Sequence, residues 1–229
     1  MTDKKDDGQS YTFQKKARAV FANLIIPKKI KDKSGREQGK PVYSATLVEI
    51  DKVDIDAMRQ IAAAVAKAEW PGRQLIVNRE ALTDPRNLQF PFKNGDERAA
   101  EALVKGKDGS FFQGQVVFDT RSGEEYPPFL SVLQGNKVMD LDGVSKLTLG
   151  KQKFYNGCYV VPKVRFKAYK SQTEGGIGAY SGVKAFLSSV LWVADGPRIG
   201  GSSAETFRAY VGGLSDVDPT GAGSDEIPY

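Results

Sequence analysis

The side chains best suited to chemistry crowd into residues 151–170, KQKFYNGCYVVPKVRFKAYK, which hold six Lys or Arg, five aromatics and no acid. Rings offer flat surfaces to unstacked bases, and Lys and Arg neutralise phosphates. Together they carry the chemistry of single-strand binding without sequence preference. Read as a strand with period two, the even positions Phe154, Asn156, Cys158, Val160, Pro162, Val164, Phe166 and Ala168 form a mostly apolar face. The odd positions put Tyr155, Tyr159 and Tyr169 beside Lys163, Arg165 and Lys167, with Lys153 as a further candidate cation. The expected division of labour is phosphate contact by the cations and base stacking by the tyrosines. A basic sheet face is also an ordinary solvated surface, so this pattern needs support from elsewhere. A strand of that length would span roughly 60 Å, so bends or bulges are expected near Gly157 or Pro162.

Three more rings are candidate stackers: Phe90, Tyr180 and Trp192. Phe90 sits in Phe90-Pro91-Phe92, which reads as a stacking platform or, preferably, as a plug over the core. Tyr180 lies in the Gly-rich loop SQTEGGIGAYSG. Its Gly176, Gly178 and Gly182 have the spacing G-x-G-x-x-x-G, and neither a following acid nor a βαβ unit supports a dinucleotide fingerprint. Trp192 in a β-rich run is more often core than contact. Asp51, Asp54 and Asp56 are better explained as helix capping than as metal ligands.

The elements that must position these residues follow in order. Residues 1–10 read as a solvated arm. Residues 18–26 form a strand that stops at Pro27, and the basic connection to Lys40 offers Lys28, Lys29, Lys31, Lys33, Arg36 and Lys40. Residues 42–50 are a strand. From Asp54 the apolar period becomes helical, with a helix to Glu69 ahead of Pro71-Gly72 and Asp54 or Asp51 as cap. Residues 71–97 are irregular and 99–104 add a helical turn. Residues 110–119 make a strand, 121–129 a turn and extended Pro-Pro segment, and 131–144 thread on toward the central strand. Residues 183–194 are read as a strand and 204–211 as a short helix.

Charge is distributed unevenly. The whole chain has 33 bases and 28 acids, yet four acids and no base fall after Leu214, so residues 1–213 carry 33 bases against 24 acids, a net of +9. That body leans toward polyanionic partners. The tail, 214–229, reads as disordered. Its acids Asp216, Asp218, Asp225 and Glu226 precede a terminal Tyr229, which suggests a docking peptide as well as a solubilising one. With one cysteine and no histidine, the chain lacks an intramolecular disulfide, a His-dependent triad and a His-containing zinc site. The polar start and the lack of a long apolar run argue against a signal peptide or membrane span. No catalytic residue, metal or cofactor is expected.

The run FYNGCYVVPKVRFKAY, the Gly-rich loop and GVKAFLSSVLWVADGPRIGG resemble a family of single-stranded-DNA-binding proteins of tailed bacteriophages, first catalogued as a domain of unknown function. The resemblance covers most of residues 11–213. It is most specific at Tyr155-Asn156-Gly157-Cys158 and from Asp195-Gly196 through Gly200-Gly201. It implies a five-stranded OB-type β-barrel with a helical insertion at about 54–70. It also implies binding of single-stranded DNA in phage replication and recombination, in the cytoplasm of the infected host. The acidic tail would then contact a polymerase, helicase or recombinase and compete with DNA. Rival readings are a phage structural or assembly protein and a carboxylate metal-dependent nuclease; a duplex-DNA or RNA binder is a third.

Overall fold

The computed structural model describes residues 9–31, 35–72, 76–77, 82–83, 88–170, 172–173, 176–177 and 181–200. In chain order the elements are β1 (Ser10–Thr12), β2 (Ala17–Lys31), β3 (Glu37–Val48), α1 (Lys52–Glu69), β4 (Ile76–Val77), β5 (Leu82–Thr83) and β6 (Phe92–Asn94). Then come α2 (Gly95–Val104), β7 (Val116–Gly123), β8 (Phe129–Gln134), β9 (Lys137–Leu141), β10 (Tyr159–Tyr169), β11 (Gln172–Thr173), β12 (Gly176–Ile177) and β13 (Gly182–Ala194).

β2 pairs antiparallel with β3, β3 with β7, and β10 with both β2 and β13. β13 runs parallel to β7, which closes the ring β2–β3–β7–β13–β10. This five-stranded closed barrel is of the OB type, as expected. The expected helical insertion is α1, between the second and third barrel strands, with Asp51 at its N-cap accepting from Val53 N at 2.8 Å. β8 continues the sheet beside β13, and β9 pairs with β8.

Alternation drives the packing. Along β10 the even residues Val160, Pro162, Val164 and Phe166 are buried, while Lys163 and Arg165 are half-buried and Lys167 is exposed. The register shifts beside Tyr159 and Lys163 leave that alternation intact. Inside, the Phe118 ring lies 5.0 Å from Phe92, 6.0 Å from Phe166 and 6.2 Å from Phe13, and α1 adds fully buried Met58 and Ala62.

Several expectations need correction. The central stretch is not one strand: residues 151–153 are helical and the strand begins at Tyr159, because a turn through Gly157 redirects the chain. β2 does not stop at Pro27 but runs on to Lys31. No ladder partner is recorded between Asn23 and Lys28, so the missing proline N–H breaks no pairing there. Residues 110–112 form a 3-10 turn rather than a strand start, and β7 begins only after Gly114, at φ +65°. Residues 131–144 contain the β8–β9 hairpin, with Gly135 in its turn at φ +57°. The single helical turn expected at 99–104 is the end of α2. The expected helix at 204–211 lies outside the described residues.

β1 straps the edge of β10, pairing Ser10, Tyr11 and Thr12 with Arg165, Val164 and Lys163. Fully buried Asp54 anchors this strap, accepting from Tyr11 Oη at 2.7 Å, Gln14 N at 2.8 Å and Lys15 N at 3.1 Å. Burial first, and then the hydrogen bond to Asp54, push the Tyr11 phenol up to about 12. A phenol that holds its proton more tightly in the folded state stabilises the fold below its ordinary value of 10.0 and loses that contribution as pH climbs through 12. The melting temperature should therefore fall between about pH 10 and 12, and less steeply in Tyr11→Phe. Parallel slopes for the two proteins would remove Asp54–Tyr11 from the account.

Candidate nucleic-acid interface

The candidate residues of the central stretch fall into two separate groups. Tyr159 and Tyr169 stand at opposite ends of β10, roughly 33 Å apart at about 3.3 Å per residue. They do not share one patch.

The first group surrounds the start of β10. The Tyr155 hydroxyl lies 2.9 Å from both Gly196 N and Gly196 O and 3.1 Å from Asp195 Oδ1, and the Arg198 guanidinium covers its ring at 4.3 Å. Tyr159 Oη donates to Glu49 Oε2 at 2.8 Å, with Lys16 over its ring at 4.4 Å. Both phenols are pushed up, Tyr155 chiefly by burial and Tyr159 chiefly by its bond to Glu49. Arg18 completes the set, bonding Glu49 Oε1 at 3.0 Å and Pro197 O at 2.7 Å. Lys153 pairs with Asp195 at 3.3 Å and sits 4.0 Å over the Trp192 ring. Trp192 is only 8% exposed and belongs to the core. This group ties residues 195–198 to the barrel, so its rings and cations already have intramolecular tasks. The two motifs most specific in the sequence, Tyr155-Asn156-Gly157-Cys158 and Asp195-Gly196, are here each other's packing partners. A Cβ on Gly157 would meet Pro197 O at 2.0 Å, and one on Gly196 would meet Gly157 O at 2.2 Å.

The second group gathers around Tyr169 at the other end of the strand. Lys184 Nζ lies 3.9 Å over the Tyr169 ring, and Tyr169 Oη is 3.4 Å from Gln89 Oε1. Lys184 stands directly across from Lys167 in the β10–β13 ladder, a like-charge pair that repels. Desolvation first, and then the charge of Arg121 on β7, lower the Lys184 pKa. Burial raises that of Tyr169, and Arg121 pulls it back down. The nearby carboxylate of Asp119 is taken up elsewhere, by Arg98 Nη2 at 2.8 Å and Thr46 Oγ1 at 2.8 Å. Arg121 and Lys184 therefore face a groove of about 640 Å³, floored by β7 and β13 and walled by α2, whose lining also holds Lys93, Arg98, Glu97, Glu101 and Asp119. Among the described residues neither Arg121 nor Lys184 has an ion pair. Such a site suits a phosphate beside a ring that can stack.

Lys163 and Arg165 lie between the groups, half-buried under the β1 strap, and both have interactions within the chain. Phe90 corrects the stacking expectation: at 4% exposure it is the plug, offering no ring face to a ligand. In the β2–β3 hairpin Lys29 pairs with Glu37 at 3.6 Å and Lys40 with Glu125 at 3.5 Å, while Lys28 and Arg36 are exposed. Lys33, Tyr180 and the tail residues Asp216, Asp218, Asp225, Glu226 and Tyr229 lie outside the described residues. Sequence reasoning missed Arg121 and Lys184. Alternation along VVFDTR and GVKAF would have turned both outward, had the third and fifth barrel strands been read the same way as β10.

Residues 12–212 match the family model described as Enterobacter phage Enc34, ssDNA-binding protein. No curated protein sequence matches the chain. Among solved structures, the single-stranded DNA-binding protein from bacteriophage Enc34 is similar in fold. It has TM-score 0.54 and 20% identity, over 89% of this chain and 91% of that one. The same phage protein in complex with ssDNA has TM-score 0.53 and 19% identity, over 83% and 88% of the two chains.

Proposed function

The chain belongs to the family of the Enterobacter phage Enc34 ssDNA-binding protein, and from that premise we propose that it holds single-stranded DNA in the groove beside Tyr169. Arg121, Lys184 and Lys167 take the phosphates, and Tyr169 stacks a base. Lys163 and Arg165 extend the same outward face of β10. The observation that carries this reading is the pair Arg121–Lys184, two like charges set in one groove with no ion pair to either among the described residues. Nothing in folding favours such a pair, whereas a polyphosphate strand neutralises it.

The position on the barrel supports the reading as well. OB barrels bind oligonucleotides across their second and third strands and the loops joining strands one to two and four to five. Here these strands are β3 and β7, and the second of those loops leaves directly from Tyr169. The family is one of binding proteins rather than enzymes. Among the described residues no three His, Cys, Asp or Glu gather into a possible metal site. No helix among them is long and apolar enough to cross a membrane.

The setting we propose is phage replication and recombination in the host cytoplasm, where single-stranded DNA is exposed. The acidic tail, with Asp216, Asp218, Asp225, Glu226 and Tyr229, would contact a polymerase, helicase or recombinase and compete with DNA for the basic groove. Its charge, opposite to that of the body, supports this.

Fluorescence titration with oligo-dT, beside a duplex of equal length at two salt concentrations, tests the central claim. Tight, salt-sensitive binding to dT with quenched Tyr and Trp emission, and weaker duplex binding, is expected. Equal affinity for both would reduce the groove to a basic surface. Absence of binding would leave a structural or assembly role.

A further inference from the structure

The geometry points to Phe21 as a second base-stacking platform, at the far end of the same barrel face from Tyr169; this rests on the single-strand reading above. Phe21 has φ +50°, a left-handed conformation that a bulky side chain rarely adopts. It lies where the β2–β3 register shifts between Val20 and Asn23. The strain is held from both sides. Ala22 N donates to Asn156 Oδ1 at 2.8 Å, and Asn23 Nδ2 donates to Phe21 O and to Ser44 Oγ, each at 3.3 Å. Strained backbone persists only where its surroundings over-determine it, and such places cluster at ligand contacts.

The result of that strain is an exposed ring. Phe21 is 51% exposed, although apolar burial would favour the opposite. One side of the ring leans on Phe111 and Phe112, at 6.1 and 6.0 Å, which themselves stack at 4.3 Å. Three rings thus form a supported shelf, open on the Phe21 side.

Its location fits a strand of nucleic acid already held in the groove. Asn23 pairs with Ser44 on β3, and Ser44 pairs with Arg121 on β7. Two strand spacings, roughly 10 Å, therefore separate Arg121 from Asn23, which stands two residues along β2 from the shelf. α2 flanks the path at both ends, with Arg98 on Asp119 and, just beyond its C-terminus, Phe111 and Phe112 on Phe21. The occupant is an unstacked base, because continuity with the cationic groove supplies its phosphate.

The test compares the full chain with Phe21→Ala, Phe21→Gly and Phe21→Trp in oligo-dT titrations and thermal melts. Alanine and glycine should each weaken dT binding roughly 5- to 150-fold, the effect of losing one stacked base. The salt slope should stay unchanged, since no phosphate contact is lost. Glycine should melt higher than alanine, because it takes φ +50° without strain. The tryptophan introduced by Phe21→Trp should add an emission component that dT quenches. Wild-type affinity in both truncations, with unquenched added emission, overturns the inference and leaves Phe21 as a cover for Phe111 and Phe112. If the wild-type chain itself fails to bind dT, the groove reading fails first and takes this one with it.

Discussion

Replacing Arg121 and Lys184 together by alanine is expected to weaken oligo-dT binding by at least about 100-fold at moderate salt, at about 1.5–3 kcal/mol per charge-assisted contact. The double variant should also flatten the slope of log affinity against log salt by about 1.4, since each single-strand phosphate contributes about 0.7. The magnitude rests on the lack of ion pairs to either cation among the described residues: Asp119 is occupied by Arg98 and Thr46, and Lys184 has only the Tyr169 ring beneath it. Folding should not suffer. The depressed Lys184 pKa means that its charged form is disfavoured in the folded state, a penalty present at neutral pH and relieved only as pH rises toward the ordinary lysine value of 10.5. Removing the cation should hold or raise the melting temperature at pH 7. Lys153→Ala, which breaks a pair with Asp195 at the other end of β10, should leave the salt slope unchanged. A double variant with the wild-type slope would move the DNA elsewhere on the barrel.

Gly157→Ala should destabilise the fold by about 3–5 kcal/mol, combining backbone strain with the loss of neighbouring hydrogen bonds. At this chain length that corresponds to a drop on the order of 10 °C in melting temperature. Gly157 has φ +111°, and its missing Cβ leaves the space into which Pro197 O comes, 2.0 Å from where that atom would be. Both sides of the clash are backbone, so no side-chain rotation relieves it. Moving residues 195–198 away would break the Arg18–Pro197 bond and the Tyr155–Gly196 pair. Gly135 in the β8–β9 turn has a similarly positive φ but open space around it, so Gly135→Ala should cost only about 1 kcal/mol. Equal melting temperatures for the two variants would show that the Pro197 contact yields easily.

Much of the architecture was legible because its signals are local. Helical spacing marked α1, β-branched and aromatic content between Gly-rich turns marked β13 even though its apolar spacing also fitted a helix, and period-two alternation marked both faces of β10, including Phe166 inward and Lys167 outward. The errors arose where local propensity met long-range packing. VVPKV continues naturally upstream through Tyr155, but Gly157 turns there because residues 195–198 return to cover it. Pro27 ends a regular strand in isolation, yet within the irregular span of β2 no ladder partner needs its N–H.

The sequence by itself determined a β-rich domain, the basic body with its acidic tail, and the side of β10 on which its cations stand; the OB type was what the family resemblance implied. Alternation and composition are properties of neighbours along a chain, and they survive without knowledge of what packs against them. Which rings and cations meet was decided only by closure of the barrel. Arg121, Tyr169 and Lys184 come together because β7, β10 and β13 are joined through hydrogen-bonded registers. The same closure brings Asp195, Arg198, Glu49 and Lys16 onto Tyr155 and Tyr159 and gives those rings structural work. A side chain's type states what it is able to bind; whether it is left able to bind depends on partners brought in from far along the chain.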